Sequence, residues 1–205
     1  MSTPTPPATA SETRARRKSA RRDAILAAAQ KVFAKKGFDG ATMADIAGEA
    51  GVAAGTVYLY YASKTDLFAA LNARLYQVIN EAMRSANAPP DVRGGTQARI
   101  HAVFEACGAH RDLLRLVFLN PDPRTEVARR MKHQDEERLR PLVELFRAGV
   151  EAGVIRRADP ALLARIVSGL VIIALYQCLV QSDGRDVQEY EGTVIEMVVG
   201  ALTPA

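Results

Sequence analysis

A chain of 205 residues can bury a sizeable core, either as one domain or as a small domain joined to a larger one. Its 48% hydrophobic and 24% charged residues are ordinary for a soluble globular protein, so only the distribution of charge is informative. Residues 1–60 carry 9 Lys+Arg against 5 Asp+Glu and residues 61–205 carry 18 against 18, so the whole formal excess of +4 lies in the first part. Cys107 and Cys178 stand far apart without metal-ligand spacing, which suits a reducing cytosol. The N-terminus has no apolar core of the kind a signal peptide needs, so a cytoplasmic protein is expected.

Residues 1–13 are rich in Pro and Thr and poor in apolar bulk, which predicts a disordered tail. Arg14, Arg16, Arg17, Lys18, Arg21 and Arg22 follow with no acid until Asp23. A charge run is usually a solvated face; placed before a DNA-reading unit it becomes a phosphate-binding arm, with Arg17 and Arg21 as candidates. From Ala20 to Lys36, Ile25, Ala28, Ala29, Val32 and Phe33 share one helical face, and Gly37 is a candidate C-cap after which Phe38 folds back into a small core. Thr42 can cap a helix running to Ala50, Gly51 suits a turn that needs positive φ, and a short helix is expected over Ala54–Tyr60. Ile46, Ala47 and Ala50 on the first helix and Val57 and Tyr61 on the second form apolar stripes that must close on each other, as in a helix-turn-helix. That leaves Ala53, Ala54, Gly55, Thr56, Tyr58 and Tyr60 toward the outside.

Ser63-Lys64-Thr65-Asp66 reads as a capping box opening a helix with Leu67, Phe68, Leu71, Leu75, Val78, Ile79 and Met83, which reaches about Ser85. A linker over Ala88–Asp91 and Gly94-Gly95 precedes Ile100, Val103, Phe104 and Cys107 at helical spacing, then an apolar segment over Leu113–Leu119 ended by Asn120-Pro121-Asp122-Pro123. A helical pattern returns over Arg124–Ala152, where Pro141 should kink the helix or mark a boundary near Arg140. Asp159-Pro160 opens a helix that is apolar nearly all round from Leu162 to Val180, which predicts that both faces are covered. Arg165, Ser168 and Gln177 interrupt it, so a buried helix is a better reading than a membrane span, and no membrane partner is expected. A last helix spans about Val187–Leu202. No strand-like alternation occurs, and the chain is expected to be all-α.

The run Gly51-Val52, Gly55-Thr56-Val57-Tyr58, Tyr60-Tyr61 and Ser63-Lys64-Thr65-Asp66-Leu67-Phe68 resembles the DNA-binding signature of the tetracycline-repressor (TetR) family of bacterial transcription regulators, over about residues 20–68. After the tail over 1–13, the resemblance implies a three-helix DNA-binding domain over 14–62 and a helical ligand-binding and dimerisation domain over 63–205. It further implies phosphate contacts from Tyr58 and Tyr60, base-edge readout at Ala54, Gly55 and Thr56, backbone contacts from Thr42 and Lys64, and an inward place for Tyr61. The partners implied are a palindromic double-stranded operator, a second copy of the chain joined through the last two helices, and a small-molecule effector. Two departures stand out: Ala53 replaces the Ser or Thr frequent in the family, and Ala54 and Gly55 offer base edges no hydrogen bond. Direct readout must then lean on Thr56, on Met43 and on methyl contacts.

His101, His110 and His133 lack metal-pair spacing, and no nucleophile, phosphate-loop or zinc-protease pattern occurs, so neither catalysis nor a cofactor is expected. Phe104, Cys107, Phe118, Met131, Phe146 and Tyr176 are candidates for lining an effector cavity, each equally a plain core residue. The reading is a ligand-responsive regulator that is not an enzyme. The alternatives are a non-specific architectural DNA binder and a small-molecule carrier or enzyme with a vestigial helix-turn-helix.

Overall fold

The computed structural model describes residues 10–119 and 135–204, and every regular element among them is helical. The chain divides into two compact units between Ala70 and Leu71. In the first, α1 (Ala10–Gly40) starts at Ala10 rather than at Ala20. The expected disorder is therefore wrong for residues 10–13, while residues 1–9 lie outside the described residues. The prolines end at Pro7, and the Ala, Glu, Arg and Lys that follow are strong helix formers even without apolar bulk. α1 is broken at Gly37, whose φ of 73° is open to glycine but strained for other residues. The reversal returns Phe38 onto Phe33 and Phe68, at ring-centroid distances of 5.5 Å each.

α2 (Met43–Glu49) and α3 (Ala54–Tyr58) follow, then α4 (Lys64–Ser85). α3 is shorter than expected because the Tyr60 and Tyr61 amides both donate to the Val57 carbonyl at 3.0 Å, closing the last turn. At the start of α4 the Ser63 hydroxyl accepts from the Asp66 amide at 3.2 Å and donates to the Asp66 carboxylate at 2.9 Å. Leu67 and Phe68 are fully buried.

The second unit holds the rest of α4, α5 (Val92–Ala109), α6 (Arg111–Leu119), α7 (Asp135–Glu151), α8 (Pro160–Leu175) with a π-helical turn Tyr176–Gln181, and α9 (Val187–Leu202). Asp159 caps α8 as expected, accepting from the Ala161 amide at 2.9 Å. α7 runs through Pro141, so the boundary expected near Arg140 is absent; the pattern's earlier part, 124–134, and the Asn120–Pro123 stop lie outside the described residues. α5 and α9 are tied by a bidentate Arg93–Glu196 pair at 2.6 and 3.1 Å and by His101 Nδ1 against Glu191 Oε1 at 2.9 Å. Burial pushes the Cys107 thiol up to about 12, which leaves it protonated and inert.

The expectation that α8 is covered on both faces fails within a single chain. Ala164, Val167, Ala174 and Leu175 are buried, but Leu162, Ile166 and Ile173 are 53%, 58% and 61% exposed. Pro160–Gln181 is long and apolar enough to cross a membrane by length and composition, and 39% of its most apolar window is buried.

One polar residue disturbs this core. Asn72, two residues past the division between the units, is fully buried and neither its amide nitrogen nor its oxygen meets a protein partner. An unsatisfied buried amide costs about 1–3 kcal/mol. Asn72→Leu, similar in volume and apolar, should raise stability by about that amount in denaturant unfolding; a variant no more stable than the parent would show that the amide is satisfied.

Candidate functional site

The reading head is built by one turn. After α2 the chain reverses at Gly51, whose φ is 65°, and the Val52 amide donates back to the Ala47 carbonyl at 3.0 Å. Ile46, Ala47 and Val57 are 0%, 3% and 0% exposed where α2 and α3 meet. Tyr61, one turn past Val57, is buried as well, and its hydroxyl is met by Arg22 Nε at 3.3 Å with the guanidinium 5.4 Å from the ring. Ala53 gives α3 no side-chain cap. The outward side carries exposed Ala54, Gly55 and Tyr58, with Thr56 and Tyr60 half-buried.

α2 is anchored at its start. The Thr42 hydroxyl accepts from the Asp45 amide at 3.1 Å while the Asp45 carboxylate accepts from the Thr42 amide at 3.0 Å, a reciprocal capping box. Lys36 Nζ adds a 2.6 Å bond from α1 to that carboxylate. Lys64 is also turned inward: its ammonium donates to the carbonyls of Phe38 and Asp39 at 2.8 and 3.2 Å and lies 4.9 Å from the Phe38 ring centroid. An ammonium has three donors, so one stays open to a phosphate.

Lys31 pairs with Glu49 at 3.1 Å. Arg14, Arg16, Arg17, Lys18 and Arg21 are exposed along α1, and among the described residues no ion pair engages them. Met43 is a correction: as the first residue of α2 its side chain is only 9% exposed, committed to the core and withdrawn from any base edge. Leu59 is the residue the sequence reading passed over. It is 82% exposed directly after α3, and its position two residues from Val57 already marked it as outward.

In the second unit a cavity of about 420 Å³ is lined by Ile79, Ile100, Leu142, Phe146, Val171 and others of α4, α5, α7, α8 and α9. Asp91, Arg99, Arg138, Asn80 and Tyr76 are among the residues that bring polar groups to it. Arg138 stacks on the Tyr76 ring at 3.9 Å, its carbonyl accepts from Asn80 Nδ2 at 3.3 Å, and Arg99 Nη1 donates to the Gly95 carbonyl at 2.9 Å. Of the candidate lining residues only Phe146 is there. Phe104 and Cys107 are core residues, Phe118 and Tyr176 stack on each other at 5.3 Å, and Met131 lies outside the described residues. Helical spacing marks a residue as buried without saying which neighbour covers it, and α6, which carries Phe118, contributes nothing to the cavity.

A glycine turn that seals one residue of a short helix and leaves its hydroxyls outside, behind an exposed basic helix, defines a helix-turn-helix DNA-binding protein. The chain belongs to the tetR family of bacterial regulatory proteins, whose signature matches residues 25–71. The HTH-type transcriptional repressor SCO4008 of Streptomyces coelicolor is 31% identical over 137 residues, 67% of this chain and 68% of its own. The HTH-type regulator YhgD of Bacillus subtilis is 24% identical over 188 residues, 89% of this chain and 97% of its own. In fold the chain matches FadR from Bacillus subtilis, solved with stearoyl-CoA, at a TM-score of 0.74 and 21% identity, over 87% of this chain and 97% of that one. The chain is a transcriptional regulator.

Hydrogen bonds from Lys36, then from the Thr42 side chain and backbone, hold the Asp45 carboxyl down from 3.8 to about 2. A folded value below the unfolded one means that the capping box contributes stability fully present above about pH 4 and lost as pH falls toward 2. Melting temperature should therefore drop over that window, and Asp45→Asn should remove this part of the drop; an unchanged acid slope in the variant would discharge Asp45 from the role.

Proposed function

We propose that the chain is a cytoplasmic, ligand-responsive repressor that binds a palindromic operator as a homodimer joined through its last two helices, and that a small molecule releases it. The observation that carries the DNA-binding part is the division of α3 and the turn after it: Val57 sealed at 0% exposure, Tyr58 exposed, and Thr56 and Tyr60 half-buried at its edges. On this reading α3 enters the major groove, Tyr58 and Tyr60 touch phosphates, Thr56 reaches a base edge, and Thr42, Lys64, Arg17 and Arg21 hold the backbone. The apolar stripe of Leu162, Ile166 and Ile173 on α8, with Met197 at 53% exposure on α9, supports the dimer. A two-fold protein requires a two-fold site, with reading helices about one turn of DNA, ~34 Å, or a multiple apart.

α4 supplies the coupling. Its first turns are held in the first unit by Lys64 and Phe68, and its later turns put Tyr76, Ile79, Asn80 and Met83 on the cavity wall. A ligand that favours a different placement of this helix alters the spacing of the reading heads, and can do so only by its differential affinity for the two states. The cavity is mostly apolar, and Arg99 in its lining, with Asp91 engaged in capping α5, favours an apolar chain with an anionic group; FadR, of the same fold, holds stearoyl-CoA.

The non-specific alternative is separated by comparing affinity for a selected duplex with that for scrambled DNA at stated salt, where a repressor discriminates by about 10³ or more. Arg17→Ala and Arg21→Ala should each weaken binding to all sequences and lower the salt slope by about 0.9 without changing the melting temperature. Lys64→Ala should lower both binding and melting temperature, since it also ties Phe38 and Asp39. Thr56→Ala should relax preference at one base position. Equal effects of these changes on specific and random DNA would contradict the assignment of contacts.

For the effector, long-chain carboxylates titrated into the protein–operator complex should release DNA, and Arg99→Gln should weaken that response while leaving DNA affinity without ligand intact. Carboxylates that bind the second unit and leave operator affinity untouched would end the coupling scheme.

A further inference from the structure

The outward face of α3 has an unusual chemical make-up for a groove-reading surface. Ser and Thr, here Thr56, bond to more than one kind of base, whereas the side chains that single out G, A or C by hydrogen bonding are Arg, Lys, Asn, Gln, Asp and Glu. Positions 53–62, Ala-Ala-Gly-Thr-Val-Tyr-Leu-Tyr-Tyr-Ala, contain none of them. The next cation, Lys64, spends two of its donors on the Phe38 and Asp39 carbonyls, and Met43 is buried. The base-edge feature an apolar side chain can recognise is the C5-methyl of thymine.

The outermost ridge of the helix is apolar too. Successive residues turn by about 100°, so Gly55 and Leu59 both lie about 200° from Val57, one turn apart on the side opposite the sealed residue. Leu59 keeps right-handed helical backbone angles, φ −69° and ψ −21°, so the register holds to its position. A single exposed leucine is ordinary on any surface. This one is 82% exposed, more than any other large apolar side chain among the described residues, and it stands beside Tyr58, itself 54% exposed.

Gly55 leaves the same ridge bare one turn before Leu59. A Cβ built there would meet nothing within 4 Å and the backbone is not left-handed, so neither packing nor conformation in this chain requires glycine. Glycine inside a helix weakens it relative to alanine. The same openness is found at Gly48, Gly108, Gly169, Gly192 and Gly200, so the glycine is not by itself a marker; what distinguishes Gly55 is its place on the outward ridge one turn before Leu59, where a missing side chain lets another molecule approach the backbone.

We propose that α3 reads its operator mainly through thymine methyl groups, with Leu59 as the specificity-determining contact and Gly55 as the point of closest approach of the helix to the base edges. The inference rests on the DNA-binding reading above and adds what kind of sequence the site must hold: a thymine, or a short run of them, facing Leu59 in each half.

The test uses the full-length protein. Duplexes are selected from a random pool, and each thymine of the selected sequence is replaced in turn by deoxyuridine, which removes only the methyl group. In the parent protein, replacement at the thymine facing Leu59 should weaken binding roughly four-fold per half-site, the effect of losing one buried methyl-sized group. Leu59→Ala should bring the thymine-to-uracil preference at that position to about one while keeping the preference elsewhere, and Leu59→Met should retain part of it. Gly55→Ala should melt no lower than the parent yet lose affinity for the selected duplex. Full tolerance of uracil at every position, a penalty undiminished in Leu59→Ala, or undiminished affinity in Gly55→Ala would overturn the inference and leave a regulator that reads DNA otherwise. A pool yielding no preferred sequence would sink the sequence-specific reading together with it.

Discussion

The reading head depends on the burial of Val57. α3 has five residues, too few to be stable alone, and it lacks a side-chain cap. What keeps it helical and fixes which side faces out is one valine driven into the seam with Ile46 and Ala47, made reachable by a chain reversal at Gly51. Fully burying such a side chain is worth roughly 1.5–3 kcal/mol. Rotate the helix by one residue and Val57 faces water while a tyrosine or threonine enters the core. The apolar contact therefore sets the orientation of every group offered to a partner.

The first unit also engages several of its cations within its own fold. Lys36 is bonded to Asp45, Lys31 to Glu49, Arg22 to Tyr61 and Lys64 to two backbone carbonyls. Each ties an element of the small unit to another, and together they supplement a core too small to fix its helices by burial alone. The exposed positive charge is left to the early part of α1, where Arg14 to Arg21 follow one another with no acid among them. A formal excess of +4 thus understates the segregation of the charge: apart from Lys64, which is placed for both, the cations that brace the fold and those open to phosphates are different residues.

Local chemistry was legible in the sequence, and partners across distance were not. Thr42 and Asp45 sit at capping-box spacing, Gly51 follows an apolar stripe, and Val57 and Tyr61 are one turn apart; all act within a few residues, where spacing dictates geometry. Lys64 reaches the Phe38 carbonyl 26 positions back, and Arg22 meets Tyr61 across 39. No periodicity encodes such pairs. The cavity was the hardest to foresee, because Phe104 and Phe146 look alike as apolar residues on helices while only the second borders open space. Its arginines, Arg99 and Arg138, were passed over because an arginine on a helix reads by default as a solvated side chain. The early start of α1 was missed for a related reason: scarcity of apolar residues argues against burial, and a helix of Ala, Arg and Lys does not need any.

α8 shows what an all-round apolar pattern does and does not specify. It states how many faces must be covered and is silent about which chain covers them. Within one chain Ala164, Val167, Ala174 and Leu175 are buried, and Leu162, Ile166 and Ile173 remain open at spacings of four and seven, a single straight stripe. Large branched residues stand on both the inner and the outer side, unlike a helix whose outer side meets only water. A stripe of that kind would draw copies of the chain together through the same surface on each, and an interface of a surface with itself closes as a two-fold pair. The pairing proposed for the operator and the composition of α8 would then be one constraint seen at two places: on that proposal, the helix left partly uncovered by its own chain supplies the symmetry that two reading heads require.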